Sequence, residues 1–181
     1  MRCSVFAAVS LDGFLARPDG SIDWLEKYQA QLPTGEDGGF SAFLQTVDGL
    51  LMGRKTFEQI RDFRPWPYRK TPIFVLASRP FEIPADLNAC VHPVSGPLSA
   101  CVDTLADQGY EHLYVDGGTV IRSCLAADLV DHLTLTVIPI LLGTGLPLFT
   151  AGAEKNLRLR QSRVIPPGMV QSTWEVIRHG A

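Results

Sequence analysis

The sequence lacks an apolar run of the roughly 18–20 residues that a membrane-spanning helix needs. It also lacks a basic excess, because 16 lysines and arginines stand against 19 acidic residues. A general nucleic-acid-binding protein needs a basic face to neutralise phosphates, so this balance argues against that class. The amino terminus does not show the basic region, apolar region and cleavage site that make up an export signal. We therefore expect a cytoplasmic protein without a membrane or nucleic-acid partner.

Metal-ligating patterns are missing as well. The four cysteines include no Cys-x-x-Cys pair, and no histidine has a carboxylate or cysteine at ligand spacing. We therefore expect no metal site. Reduced, mostly buried thiols are the expected state of Cys3, Cys90, Cys101 and Cys124.

The composition, by contrast, is rich in apolar residues. A hydrophobic fraction of 46% allows a substantial core, and the length suits a single domain over residues 1–181. Strand-like and helical segments alternate along most of the chain, and two strands joined by Pro166-Pro167-Gly168 close it. This order predicts an α/β fold with a mixed, mostly parallel central sheet, helices on both faces and a C-terminal antiparallel hairpin.

The individual elements follow from apolar periodicity and from turn residues. Residues 31–39 contain Pro33, Gly35, Gly38 and Gly39, which predict a mobile loop, and residues 139–147 predict a second loop. The helical spacing of Phe40, Phe43, Leu44 and Val47 predicts a core-facing helix. Strands are expected at residues 3–9, 50–52, 72–77, 112–115, 131–138, 157–165 and 169–177, and further helices at 56–61, 99–108 and 119–126.

The turn Asp116-Gly117-Gly118-Thr119 carries the clearest functional signal. It follows an apolar strand and opens an amphipathic helix. Glycines let a backbone approach a ligand closely, and a helix N-terminus offers unpaired N–H groups to an anion. This arrangement is typical of a phosphate-binding turn, although paired glycines after a strand are weak evidence by themselves.

A second strand-to-helix turn, Met52-Gly53-Arg54-Lys55-Thr56, repeats the layout with two cations. The arginine fork suits phosphate oxygens, and the threonine can cap the helix or donate to a phosphate. A capped helix with two solvated cations explains this motif equally well. Ser78 and Arg79 follow the next strand, where they suit an extra phosphate or simply form a turn before Pro80.

Together the three turns suit a dinucleotide that carries a 2′-phosphate. The chain lacks the Gly-x-Gly-x-x-Gly fingerprint of a Rossmann domain, so any nucleotide must be bound differently.

Several motifs resemble the dihydrofolate-reductase-like superfamily, and within it the RibD C-terminal reductase family. They are FAAVSLDGFLA, DW, LLMGRKTFE, IFVLASR, LYVDGGTVI and DHLTLTVIPILLGTG, and they cover the chain nearly end to end. The resemblance implies an NADPH-dependent reductase with about eight strands in its sheet, and a homodimer.

The resemblance also implies roles for individual residues. The adenosine 2′-phosphate and the diphosphate are expected to bind at the turn that begins with Gly53 and at the two later turns. The Gly117–Gly118 peptide bond is expected to be cis. Val9 and Trp24 are expected near the nicotinamide, and Asp116 and Thr136 in the substrate pocket. The phosphate-binding residues it implies are Arg54, Lys55, Thr56, Ser78, Arg79, Gly117, Gly118, Thr119 and Val120.

Simpler interpretations stay open for several of these residues. Trp24 is most often a core aromatic, and Thr136 is most simply a strand residue on the less buried face. The resemblance places Ser10–Gly13 as a wall between cofactor and substrate. Within it, Asp12 fits a role in fixing the turn as well as it fits a catalytic role.

One departure concerns the catalytic acid. Dihydrofolate reductases carry a carboxylate on the helix beside the pterin pocket, but this chain has none there before Asp48. The nearby acids are Glu36 and Asp37, and Asp37 is the candidate proton donor, together with Asp12. The sequence thus predicts an NADPH-dependent reductase acting on a substrate such as 5-amino-6-(5-phosphoribosylamino)uracil. The alternatives are dihydrofolate reductase activity or a non-catalytic NADP-binding module.

Overall fold

The computed structural model describes residues 1–152 and 154–178 of the 181. Its helices are α1 (Asp23–Gln29), α2 (Phe40–Leu44), α3 (Arg54–Ile60), α4 (Leu98–Asp107) and α5 (Gly118–Ala126). Its strands are β1 (Arg2–Ser10), β2 (Phe14–Ala16), β3 (Gly49–Gly53), β4 (Ile73–Leu76), β5 (Val91–Val94), β6 (His112–Asp116), β7 (His132–Ile138), β8 (Leu146–Pro147), β9 (Asn156–Ile165) and β10 (Met169–Ile177).

The main sheet has eight strands in the order β5-β4-β3-β6-β1-β7-β10-β9. Strands β3, β4, β5 and β6 pair in parallel, as do β1 and β7. Strand β10 runs antiparallel to both β7 and β9. The predicted fold class is therefore confirmed, including the antiparallel hairpin and the sheet of about eight strands.

Strand β5 escapes sequence-based prediction because Pro93 interrupts its four residues. Proline has no N–H to donate to a sheet, so it is tolerated mainly in edge strands. β5 lies at one end of the strand order, and Ala77 N–H donates to Val94 O on its paired side at 3.0 Å. The short pair of β2 with β8 also differs from the prediction, since β2 lies outside the predicted strands and β8 lies in the predicted loop over residues 139–147.

The chain divides into two compact units. The first comprises Met1–Cys3 and Ala42–Leu129, and the second Ser4–Ser41 and Val130–Ala181. The single domain over residues 1–181 stays a prediction.

In the first unit, helices lie on both faces of the parallel strands. A side chain on Gly53 would meet Val120 of α5, whereas Phe43 of α2 packs edge-on against Tyr114 at 5.1 Å. Tyr114 pairs with Leu50 in the parallel register, so the side chains of these two residues point to the same face of the sheet. Because side chains alternate along β3, Leu50 and Gly53 lie on opposite faces, and so do the two helices. The core between these layers includes Leu51, Met52, Phe57, Ile73, Leu113 and Ile121, all fully buried.

In the second unit, the core is an apolar cluster of Trp24, Ile138, Ile165 and Met169. Strands β7, β9 and β10 supply three of these side chains and α1 supplies the tryptophan. Burying such side chains stabilises a fold by about 1.5–3 kcal/mol each. This packing fixes α1 against the sheet of its own unit.

Helix α2 is shorter than the sequence predicts. It ends at Leu44, because Gln45 and Thr46 donate to carbonyls three residues back rather than four, at 3.2 and 2.9 Å. Only Leu44 of the predicted core face is fully buried, and Phe40, Phe43 and Val47 are half-buried.

The cysteines match the sequence-based expectation. All four are free, with Cys3, Cys101 and Cys124 buried and Cys90 half-buried. Burial raises the pKa of the Cys124 thiol to about 12. No described helix is long and apolar enough to cross a membrane, and the described part of the chain contains no cluster of three potential metal ligands.

Candidate functional site

Three parallel strands of the first unit end at the same level. In the register, Gly53 of β3 is level with Leu76 of β4, and Met52 is level with Asp116 of β6. The residues that follow these strand ends therefore emerge at one edge of the sheet. The structure thus brings together the three turns that the sequence singled out.

The Gly53–Thr56 turn begins α3. Arg54 is half-buried and its Nη1 donates to Glu58 Oε1 one turn further on, at 2.5 Å. Lys55 is exposed. A guanidinium has five N–H donors, so the pairing with Glu58 leaves donors for an anion.

Ser78 and Arg79 follow β4 and are both exposed. They contribute a hydroxyl and a second guanidinium to the edge on which Arg54 lies. Pro80, also exposed, follows them in the turn that the sequence predicts.

The Asp-Gly-Gly turn adopts a conformation that requires glycine. Gly117 has φ +85°, in the region that L side chains rarely adopt. A Cβ at Gly117 would also overlap Thr56 Oγ1 and lie 3.1 Å from Thr56 Cβ. The expectation of a cis Gly117–Gly118 bond is wrong, because the cis bonds of the described residues are Arg64–Pro65 and Pro166–Pro167. The positive φ of Gly117 provides the change of chain direction with a trans peptide.

Helix α5 starts directly after this turn. Gly117 is its N-cap, so no side chain caps it, and the first i to i+4 bond runs from Ile121 N–H to Gly117 O at 2.9 Å. The preceding amides, of Gly118, Thr119 and Val120, are the ones that an α-helix leaves unpaired at its N-terminus. Thr119 is exposed and Val120 is buried.

Asp116, at the end of β6, forms a buried polar cluster with two tyrosines. Tyr68 Oη donates to Asp116 Oδ2 at 3.0 Å, and the Gly117 N–H donates to Oδ1 at 2.7 Å. Tyr114 also hydrogen-bonds this carboxyl. Asp116 as a residue is half-buried, but its carboxyl is enclosed by rings that are only 6% and 4% exposed.

Burial raises the pKa of the Asp116 carboxyl, although the hydrogen bonds from Gly117, Tyr68 and Tyr114 oppose the rise. Burial, and then the charge of Asp116, raise the pKa values of Tyr68 and Tyr114 well above their usual range. Both phenols therefore remain proton donors at neutral pH. The cluster presents a carboxyl that takes up a proton more readily than an exposed aspartate.

In the second unit, Asp12 fixes two loops. Its carboxylate accepts from Ser10 Oγ at 2.6 Å and from the N–H groups of Leu142 and Gly143 at 3.1 and 2.7 Å. The hydrogen bond from Ser10, together with those from the two amides, lowers its pKa. This geometry favours the turn-fixing interpretation, while the catalytic role remains a prediction.

Val9 and Trp24 are both buried in this unit. Val9, 5% exposed, lies in β1 level with Val137 of β7. Trp24, 3% exposed, belongs to the apolar cluster, so the core interpretation accounts for its packing. Its indole N–H, however, is buried without a hydrogen-bond partner among the described residues. Both roles near the nicotinamide stay predictions.

Thr136 does not lie on a less buried face, as the simpler interpretation predicted. It is 8% exposed, because Gln171 of β10 lies over it and donates to its Oγ1 at 2.9 Å. The same Gln171 amide donates to Gly38 O at 2.8 Å, and Arg163 Nε donates to Gln171 Oε1 at 2.9 Å. This network attaches the 31–39 loop to β7, β9 and β10.

The two loop acids have different surroundings. Asp37 is exposed and accepts from the N–H groups of Gly39 and Ser41, at 2.9 and 2.8 Å, in the first turn of α2. Burial works against its ionised form, but these hydrogen bonds prevail and lower its pKa. Glu36 accepts from Gly38 N–H at 2.7 Å and lies 3.8 Å from Arg163 Nη2. Asp37 as the proton donor stays a prediction, and Glu36 is the acid beside the Thr136 network.

The family model of the RibD C-terminal domain matches residues 3–171. The chain belongs to the RibD C-terminal domain family. The protein YwjB of Bacillus subtilis, which is uncharacterised, is 32% identical over 162 residues, covering 88% of this chain and 89% of YwjB. The dihydrofolate reductase HdrB of Haloferax volcanii is 30% identical over 123 residues, covering 67% of this chain and 57% of HdrB.

Among solved structures, a protein from Shewanella sp. PV-4 superposes with a TM-score of 0.89 at 37% identity. The match covers 98% of this chain and all of the Shewanella protein, whose name provisionally assigns it to riboflavin biosynthesis. The RibD-type fold predicted from sequence is thereby confirmed.

The residues of this RibD-family chain fit a phosphate-bearing nucleotide. The N-terminus of α5 presents backbone amides, and glycine occupies position 117, where a side chain would collide with Thr56. The cations Arg54, Lys55 and Arg79 follow strands of the same edge. This donor set suits phosphate oxygens in both charge and geometry.

Sequence reasoning missed the aromatic and polar partners of these sites. Tyr68 and Gln171 are far in sequence from Asp116 and Thr136, and only the fold brings each pair together. A weak signal for Tyr68 existed in the dense segment Pro65-Trp66-Pro67-Tyr68, where aromatic residues alternate with prolines. Gln171 gave no signal beyond a polar residue within an apolar strand.

Proposed function

We propose that this RibD-family chain is an NADPH-dependent reductase that transfers hydride to a small heterocyclic substrate such as 5-amino-6-(5-phosphoribosylamino)uracil. The observation that carries this proposal is the common level of the three strand ends that precede Arg54, Ala77-Ser78 and Gly117. Family membership supports the activity class.

The phosphate contacts divide among the three turns. Amides of Gly118, Thr119 and Val120 hold the diphosphate, because a helix N-terminus carries partial positive charge. Arg54, Lys55 and Thr56, with Ser78 and Arg79, hold the diphosphate and the adenosine 2′-phosphate. Arg54 shares its donors between Glu58 and the phosphate.

NADPH supplies the hydride when it is bound, and the protein supplies orientation and proton transfer. In the proposed role, Asp116 contacts the substrate, and burial keeps its carboxyl protonated at higher pH than an exposed aspartate. Tyr68 and the Gly117 N–H hold that carboxyl in one orientation. Within the second unit, Gln171 holds the Thr136 hydroxyl in place, as the role proposed for Thr136 in substrate binding requires.

The direct test is NADPH oxidation by the purified protein with 5-amino-6-(5-phosphoribosylamino)uracil. We expect coenzyme oxidation that depends on this substrate and is lost in Gly118→Val. Tight NADPH binding without turnover on this substrate or on dihydrofolate would instead identify a non-catalytic nucleotide-binding module. Failure to bind NADPH would contradict the reductase assignment altogether.

Dihydrofolate reductase activity is the second candidate, and its support is the likeness to HdrB. The lack of a helix acid weighs against it, because α2 carries Ser41 and no carboxylate. The same assay with dihydrofolate as the substrate separates the two candidates.

We also propose a homodimer. Strand β9 ends the strand order of the main sheet, and its Leu157, Leu159 and Val164 are exposed, with Val164 at 72%. Exposed sheet edges of this kind need cover. Light scattering of the purified protein measures the mass, and a monomer would contradict this proposal.

A further inference from the structure

Trp66 presents a buried hydrogen-bond donor that lacks an acceptor. Its Nε1 is inaccessible to solvent and has no partner among residues 1–152 and 154–178. The indole ring packs edge-on against Tyr68, with ring centroids 5.4 Å apart. A buried N–H without an acceptor costs about 1–3 kcal/mol, so an acceptor is expected to meet it in the working protein.

The backbone around Trp66 is stiff. Pro65 and Pro67 flank the tryptophan, and proline fixes φ near −65°. The indole ring is thus presented by a short segment with little conformational freedom. A preorganised donor loses little entropy when a ligand binds.

The edge-on contact with Tyr68 does not itself require an indole. A phenylalanine can make an edge-on contact with Tyr68 and would bury no polar atom. Relative to phenylalanine, tryptophan adds a larger ring and one polar group, which is the N–H.

Trp66 is linked through Tyr68 to the carboxyl that the proposed function places against the substrate. Tyr68 connects the two, since its ring contacts Trp66 and its hydroxyl donates to Asp116 at 3.0 Å. Both groups belong to the first unit. Trp66 and the Asp116 carboxyl are thus each in contact with Tyr68.

We propose that Trp66 is a specificity-determining residue whose indole N–H donates to a carbonyl oxygen of the substrate, while Asp116 contacts another polar group of the same ring. This inference rests on the proposed function, because it takes the substrate to lie against Asp116. The substrate class is a planar heterocycle that carries a ring carbonyl. An analogue with an amino group in place of that carbonyl presents a donor to a donor and is disfavoured.

The first test observes the N–H in the unaltered protein. Indole ¹⁵N–¹H spectra of the NADP⁺-saturated full chain contain signals from Trp24, Trp66 and Trp174, and Trp66→Phe identifies one of them. We expect 5,6-diaminouracil to shift the Trp66 signal downfield in a saturable way. An unmoved Trp66 signal at saturating diaminouracil would overturn the proposal.

The second test measures selectivity by calorimetry. The probes are 5,6-diaminouracil, which has ring carbonyls, and 4,5,6-triaminopyrimidine, which has none. We expect Trp66→Phe to weaken diaminouracil binding about fivefold to tenfold and to leave triaminopyrimidine binding unchanged, since one hydrogen bond is lost. The control Trp174→Phe, a half-buried position in β10, should change neither. Equal losses for both probes, or no loss for either, would show that Trp66 only packs.

A separate NADP⁺ titration distinguishes failure of this inference from failure of the proposed function. Normal NADP⁺ binding with no Trp66 effect refutes this inference and leaves the proposed reductase standing. Absent NADP⁺ binding refutes the proposed function itself.

Discussion

Gly117 lies so close to Thr56 that a single methyl group on Gly117 would overlap the threonine hydroxyl. Gly117 ends the turn after β6, and Thr56 lies in the first turn of α3. This contact locks together two of the three turns that the proposed coenzyme site needs.

Replacing Gly117 with alanine tests this contact. We expect Gly117→Ala to lower the free energy of unfolding by at least about 2 kcal/mol, because a positive φ and a steric clash act together. The double variant Gly117→Ala/Thr56→Ala removes the overlap with the threonine hydroxyl but keeps the Thr56 Cβ 3.1 Å from the new methyl group. It should therefore recover part of the loss and retain at least the backbone cost of about 1–2 kcal/mol. Urea denaturation measures both. Equal stability of wild type and Gly117→Ala would contradict the dependence of this turn on glycine.

Arg54 should discriminate between the two nicotinamide coenzymes. We expect Arg54→Ala to weaken NADPH binding about 10-fold to 100-fold, the value of a charge-assisted hydrogen bond, and NADH binding far less. The reason is that only NADPH carries a 2′-phosphate. Fluorescence titration with both coenzymes gives the ratio.

Glu58→Gln provides the matched control for Arg54. It removes the carboxylate that pairs with Arg54 and keeps the arginine. NADPH binding should be unchanged or tighter in this variant. Equal losses of NADPH and NADH affinity in Arg54→Ala would exclude the 2′-phosphate role.

The sequence predicts the three turns that meet at one sheet edge, because each turn is local. A strand followed by glycine and cations is visible in five residues, and the parallel register then aligns such turns. The position of Asp116 at the end of a strand is predictable for the same reason. The conformation of Gly117 is not, because the positive φ of that residue, rather than the expected cis peptide bond, turns the chain.

The network around Thr136 is the opposite case. Gln171 and Arg163 come from strands that pair only in the folded sheet, and Glu36 comes from an irregular loop. Periodicity predicts the less buried face of the strand for Thr136, because polar residues that alternate with apolar ones usually lie on that face. Thr136 is nevertheless buried, and its hydroxyl accepts from a glutamine of the neighbouring strand, which no local pattern indicates.

Asp116 should make stability depend on pH. Its folded pKa is raised above 3.8, so the proton binds the folded state more tightly than the unfolded state. The resulting stabilisation is complete below about 3.8 and is lost as the pH rises through the raised value. We expect Asp116→Asn to gain stability relative to wild type between acidic and neutral pH.

Denaturant titrations at several pH values measure this difference. Tyr68→Phe is the matched comparison, because it removes a hydrogen bond that lowers the Asp116 pKa and should extend the pH dependence upward. A constant difference between wild type and Asp116→Asn across the pH range would show that burial does not shift this carboxyl.

Gln171 should control the 31–39 loop. Gln171→Leu leaves the Thr136 hydroxyl and the Gly38 carbonyl without this donor, at a cost of about 1–3 kcal/mol. We expect faster amide hydrogen exchange in residues 31–39, measured by mass spectrometry. Ser172→Ala, which removes a hydroxyl contact with Ser162 in the same hairpin, should leave that exchange unchanged. Similar exchange in wild type and Gln171→Leu would mean that the loop is held by other contacts.

The central claim is that one edge of the first unit binds a doubly phosphorylated coenzyme, and equilibrium titration of NADPH tests it most directly. The account predicts saturable binding of one NADPH per chain with micromolar or tighter affinity, weaker binding of NADH, and loss of binding in Gly118→Val. No NADPH binding, or equal affinity for NADPH and NADH, would contradict it.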